Sequence, residues 1–315
     1  MTKEGTMIPR NPIKSLLLAC LLAATATATA DTAKSVEAPV PLLWKVSDHD
    51  NAVYLLGSFH LLRPGDYPLS DDVDAAFDDA EQVMFELSPE EMDAGTLSMQ
   101  MLQAATRTDG STLEQDLDPD TWTRLQAWAE KNGLPLANFG SFESWFVGLT
   151  ISIVEMTKQG LDPKLGLDNH FMERARLSGK PTAGLERGQE QIAVLDGMDA
   201  TEQRQFVAES LEQAEKGSLE TERLHQAWRR GDAEGLWTGM AADMKREYPR
   251  LYQRINVDRN DAWVPKIEQR LTESTSDDTL VVVGALHLLG EDGVVEKLRA
   301  RGYTVERVCS ACKAE

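Results

Sequence analysis

Two histidines share one unusual local setting. Leu55-Leu56-Gly57-Ser58-Phe59-His60-Leu61-Leu62 is echoed 227 positions later by Val282-Val283-Gly284-Ala285-Leu286-His287-Leu288-Leu289. The chain has only five histidines, and two of them fall three residues after a glycine that ends an apolar run. An imidazole can bind a divalent metal or move a proton near neutral pH. Neither histidine has the H-E-x-x-H neighbourhood of a zincin, so any metal site must be assembled by folding from distant segments. Glu86, in Gln82-Val83-Met84-Phe85-Glu86-Leu87, and Glu186, in Pro181-Thr182-Ala183-Gly184-Leu185-Glu186, are the natural carboxylates to complete it; His170 is a third imidazole. Two histidines and a carboxylate with open positions could polarise a carbonyl and lower the pKa of a bound water. Manganese, cobalt and zinc are all candidate ions. Arg259-Asn260 could hold a substrate carboxylate or a developing oxyanion. Structural readings stand beside each of these. The glycines could simply end strands while their histidines satisfy backbone groups. Arg259 and Asn260 suit an ordinary amphipathic helix with Trp263 packed inward, and metal-free acid–base work needs no ion.

The elements around these residues suggest how they could meet. Ala52–Leu56 and Thr279–Val283 read as strands, each leading through a glycine turn to a helical pattern, Asp72–Ala80 and Gly293–Arg301. Gln82–Leu87 and Tyr303–Val308 read as the strands that follow, so strand, helix, strand occurs at both ends of the chain. That is the grammar of an α/β sheet, whose sites lie at the carboxyl ends of strands. Between them, Pro119–Lys131, Glu143–Lys158, Leu167–Ser178, Thr201–Glu215 and Leu219–Arg229 have helical spacing, interrupted by the strand candidate that ends in Glu186. His225 reads as an uninformative residue on a helix surface.

Lys3, Arg10 and Lys14 precede a short apolar segment, and Ala28-Thr29-Ala30 matches an A-x-A cleavage site, so residues 1–30 read as a signal peptide. Cys20 leaves a lipoprotein as a minor alternative. Cleavage near Ala30 would release a soluble chain of formal charge −22, against −20 for the whole sequence, into the periplasm or medium. Nucleic acid is a poor partner for so acidic a chain. No second apolar run is long enough for a membrane span, and the oligomeric state is not legible. Residues 31–41 read as a flexible lead-in. Cys309 and Cys312, in the tail 309–315, read as an intrachain disulfide, since export favours one.

In chain order, Tyr54-Leu55-Leu56-Gly57-Ser58-Phe59-His60, Gly65-Asp66-Tyr67-Pro68-Leu69, Phe85-Glu86-Leu87, Leu165-Gly166-Leu167-Asp168-Asn169-His170-Phe171, Gly184-Leu185-Glu186, Arg259-Asn260 and Val283-Gly284-Ala285-Leu286-His287-Leu288 resemble the TraB/GumN family, or TraB/PrgY/GumN group. The resemblance extends to the Tiki metalloproteases and to the wider fold of erythromycin esterases and ChaN proteins. By resemblance to Tiki proteins, His60, His287 and Glu86 would form a metal-dependent proteolytic site. The fold it implies is one α/β domain over 42–308, with a mixed central sheet, two pseudo-symmetric Gly-x-x-His halves and a large helical insertion covering about 97–165 and 200–255. The function expected is a metal-dependent hydrolase acting on peptide or protein. The alternatives are a metal-free ester hydrolase and a non-enzymatic periplasmic binding or inhibitory protein.

Overall fold

A computed structural model describes residues 37–92, 94–273 and 276–312. The signal segment 1–30, Cys20, Ala30 and the first part of the lead-in lie outside the described residues. Residues 37–41, expected to be flexible, are tied down: Val40 N–H donates to Arg229 O, Ser70 N–H to Pro39 O, and Arg229 to Glu37 O.

Six strands form one mixed sheet: β1 Leu43–Ser47, β2 Ala52–Ser58, β3 Gln82–Leu87, β4 Thr182–Glu186, β5 Thr279–Gly284 and β6 Thr304–Arg307. Their spatial order is β4-β3-β5-β2-β1-β6. The four strands from β4 to β2 are parallel, while β1 runs antiparallel to both β2 and β6. Every residue of β2 and β5 is buried, as expected for central parallel strands that are apolar throughout rather than alternating. The last strand does not extend the parallel array beside β5; it crosses over to close the far side of β1.

Parallel register sets Gly57 opposite Val283 and Ser58 opposite Gly284, so both Gly-x-x-His segments leave neighbouring strands at one end of the sheet. The pairing shows no repeated halves. β5 has parallel neighbours on both sides, β2 has one parallel and one antiparallel, and only the β5 segment continues directly into a 3₁₀ turn, Ala285–Leu288.

The helices are α1 Asp71–Asp79, α2 Ala94–Ala105, α3 Pro119–Lys131, α4 Ser144–Lys158, α5 Leu167–Ser178, α6 Gly188–Asp196, α7 Ala200–Lys216, α8 Ser218–Arg229, α9 Asp258–Glu273 and α10 Val294–Ala300, with shorter helical turns between. The covering helices have apolar cores of their own. Leu125 and Trp128 of α3, Val147 and Ile151 of α4, and Val207 and Leu211 of α7 form one cluster apart from the core of the sheet. No described helix is long and apolar enough to cross a membrane. Cys309 and Cys312 are joined in a disulfide, their Cα atoms 5.3 Å apart.

Candidate functional site

His60 leaves the end of β2 and is fixed by α5. Its Nδ1–H donates to Asp168 Oδ2 at 2.7 Å, and the same oxygen accepts the Ser58 hydroxyl at 2.6 Å. Asp168 lies in the first turn of α5, where a carboxylate is favoured by the helix dipole. Gly166 is what lets this helix start so close, because a Cβ there would clash with the His60 carbonyl. The imidazole remains 57 % exposed. The charge of Asp168 outweighs desolvation and raises the His60 pKa to about 9.

Glu86, buried near the end of β3, accepts the Gly284 N–H at 2.8 Å through Oε1 and Arg259 Nη2 at 2.6 Å through Oε2. Burial alone would push this carboxyl up, but the positive charge of Arg259 holds it well below the usual range. Glu186, at the end of the neighbouring strand, takes Arg259 Nη2 at 2.5 Å and Nε at 3.1 Å. Arg259 sits in the first turn of α9, directly after the π-helical turn Gln253–Val257. Its guanidinium lies over the ring of the fully buried Trp263, 4.6 Å from the centroid.

His287 is held by the same first turn of α9. Asn260 Nδ2 donates to Asp292 O, so Asn260 Oδ1 accepts His287 Nδ1–H at 2.8 Å. That bond fixes the tautomer and leaves the Nε2 lone pair to accept from Arg259 Nη1 at 3.0 Å. Burial, reinforced by the Arg259 charge, lowers the His287 pKa to about 3.

The three groups meet around Gly284. A Cβ at that position would lie 3.2 Å from Glu86 Oε1, 3.3 Å from His60 Nε2 and 3.6 Å from His287 Cδ2. His60 Nε2 is 3.9 Å from Glu86 Oε1. Each histidine has its Nδ1 tied to a side-chain oxygen, an arrangement that orients metal-ligating imidazoles. These are donor types that a divalent ion accepts, but as the site stands Arg259 occupies the His287 nitrogen, and the ligand atoms of His60, Glu86 and His287 do not all lie within 4.8 Å of one another.

His170 stands elsewhere, stacked on Tyr67 with ring centroids 4.5 Å apart. Glu186 belongs to the cluster through Arg259, and its second oxygen also accepts from Trp263 Nε1. Asp168, Ser58 and Gln191 were not singled out in the sequence, although Asp168 stands in the Gly166-Leu167-Asp168 start of a helix. Gln191 Nε2 donates to Glu186 at 3.1 Å and to Glu86 at 3.4 Å. His225 is not on a surface: it is buried, with Nε2 2.8 Å from Asp66 Oδ2. A separate group, Asp48, His49 and Asp50 in the turn after β1, has ligand atoms that all lie within 4.8 Å of one another and could in principle hold a divalent cation.

The sequence profile of the TraB/PrgY/gumN family matches residues 42–307. The chain belongs to this family. Among curated proteins it is similar to "Uncharacterized protein YbaP" of Escherichia coli strain K12, 21 % identical over 246 residues that span 78 % of this chain and 87 % of that protein. The YbaP protein of Shigella flexneri matches to the same extent. No solved structure matches this TraB/PrgY/gumN chain significantly.

Proposed function

We propose that the protein is a metal-dependent hydrolase whose centre is His60, Glu86 and His287, with a peptide or related carbonyl compound as substrate. The observation that carries this reading is the shared orientation of the two imidazoles, Nδ1 bound to Asp168 or Asn260 and the other side of each ring turned to the space beside Gly284 and Glu86. Two imidazole Nε2 atoms, that of His60 once it has given its proton to solvent, and one carboxylate are the donors zinc, manganese and cobalt accept. Such an ion, when bound, supplies Lewis-acid polarisation of a carbonyl and a water of lowered pKa.

The chain's own residues do the rest. Asp168 keeps the His60 Nδ1–H in place, which leaves Nε2 as the face presented to the site. Asn260 does the same for His287. Glu186 gives Arg259 a second carboxylate partner, so the guanidinium can leave His287 while keeping a paired charge. Freed in this way, Arg259 can donate to a carbonyl oxygen as negative charge develops on it.

Stoichiometric titration with Mn²⁺, Co²⁺ and Zn²⁺ tests the reading on wild-type, His60→Ala, His287→Ala and His49→Ala proteins, alongside hydrolysis of a mixed peptide library. Loss of tight binding in the first two variants, with hydrolysis, is the expected result. Loss only in His49→Ala would assign the ion to the surface turn and end the proposal. Metal-free ester hydrolysis is the second reading, favoured by the guanidinium already seated on His287; hydrolysis that survives complete chelation would select it. Binding without hydrolysis of any substrate would select a binding protein.

A further inference from the structure

The candidate site opens into a cleft of ≈ 420 Å³, within the range of small-molecule sites. Its polar side chains are His60, Glu86, Asp168, Asn169, Gln191 and Arg259. All the other lining residues are apolar, chiefly aliphatic and thioether, with Phe85 the one aromatic among them. Much of that lining comes from α2, α4 and α6. The sequence of α2, Ala94-Gly95-Thr96-Leu97-Ser98-Met99-Gln100-Met101-Leu102-Gln103-Ala104-Ala105, has no charged residue in a chain that is 27 % charged. Leu97 and Met101 line the cleft, and Ile153 of α4, 41 % exposed, stands at its wall.

An extended peptide lying in this lining would find few partners for its main chain. The helical walls spend their backbone groups on their own hydrogen bonds, and β3, which supplies Phe85, is paired on both sides. The side-chain nitrogens of the two amide residues in the lining are engaged, Asn169 with Pro163 O and Gln191 with the two glutamates. Buried N–H and C=O groups left without partners oppose binding. A straight alkyl chain has no such groups, and thioether side chains adapt to its shape.

We infer that this cleft holds a single long alkyl chain, and that the substrate is an acyl amide or acyl ester, N-acylated peptides included, whose carbonyl sits at His60 and Arg259. The inference rests on the hydrolase reading of the same site. In the reaction water adds to the acyl carbon and the carbon–nitrogen or carbon–oxygen bond breaks. The carboxylic acid is released, and a proton from water ends on the departing amine or alcohol.

The test separates chain binding from hydrolysis. Neutral n-alkyl glucosides of six, eight and ten carbons, kept below micelle formation, are titrated calorimetrically into the full chain. Affinity should rise by about fourfold for each added methylene. Leu97→Asp and Ile153→Asp, both at partly exposed positions, should flatten that trend, whereas Leu219→Asp on α8, at an 83 % exposed residue, should leave it intact. Affinity independent of chain length overturns the inference. In a second arm, N-acyl glycines and p-nitrophenyl acyl esters of four to twelve carbons compete with unacylated aliphatic peptides. Rates that climb with acyl length support the assignment, and the preferred series identifies the leaving atom. Cleavage of unacylated peptides with no acyl preference overturns it while the hydrolase stands; length-dependent binding with no hydrolysis of any probe upholds the alkyl site and removes the hydrolase.

Discussion

Arg259 Nη1 lies 3.0 Å from His287 Nε2, on the lone pair that a metal ion would need. The same guanidinium neutralises Glu86 and Glu186, both buried. A single cation therefore occupies the position around which the site is organised.

Arg259→Ala should destabilise the metal-free protein by about 3–5 kcal/mol, the usual cost of leaving buried charges unpaired. It should also tighten divalent-ion binding, because His287 Nε2 is freed. Urea unfolding with and without Mn²⁺ checks both; a variant as stable as wild type without metal would show that the ion pairs are not what holds these strand ends together.

The two imidazoles should titrate on opposite sides of neutrality. His60, raised to about 9, keeps its proton at pH 7, and its contribution to stability is lost as pH rises from the ordinary 6.5 through 9. His287, lowered to about 3, is neutral when folded, so its contribution is lost as pH falls from 6.5 towards 3. Histidine-selective NMR should find these two titrations, and Asp168→Asn should move the first downward.

Gly284→Ala should leave the fold in place and lower turnover by about 10²-fold, because the added methyl crowds Glu86 Oε1 and His60 Nε2 by tenths of an ångström. Gly166→Ala meets backbone instead and should cost about 1–3 kcal/mol. Thermal unfolding together with steady-state kinetics distinguishes the two outcomes.

Cys309→Ser should cost less than about 2 kcal/mol, since a loop of separation three constrains little of the unfolded chain. Denaturant titration of wild type and variant measures the difference; a larger loss would mean that the tail supports β6 by more than its own closure.

Continuous apolar runs made β2, β3 and β5 legible, and helical spacing located α3 and α5 at their observed bounds. The strand β1 was not, because Leu43–Ser47 follows closely on Pro39 and Pro41 and two of its five residues are only partly buried. His60, Glu86 and His287 could be nominated because each follows or ends an apolar strand. Their restraints could not be read so easily. Nothing local tells Asp168 to meet a residue 108 positions earlier, or turns His225 inward to Asp66. Arg259 and Asn260 lie on a helix that packs Trp263 inward, as the structural alternative expected, and the same helix delivers them to Glu86 and His287.

The final strand has an effect beyond closing the fold. β6 is four residues long, and its outer side would otherwise be a template for pairing with another molecule. Glu306 places an exposed charge on this short edge, while Arg307 turns inward over the Trp44 ring, and the turn that follows is covalently closed by Cys309 and Cys312. A neighbouring chain would gain few ladder hydrogen bonds there, so the boundary of the sheet itself discourages aggregation.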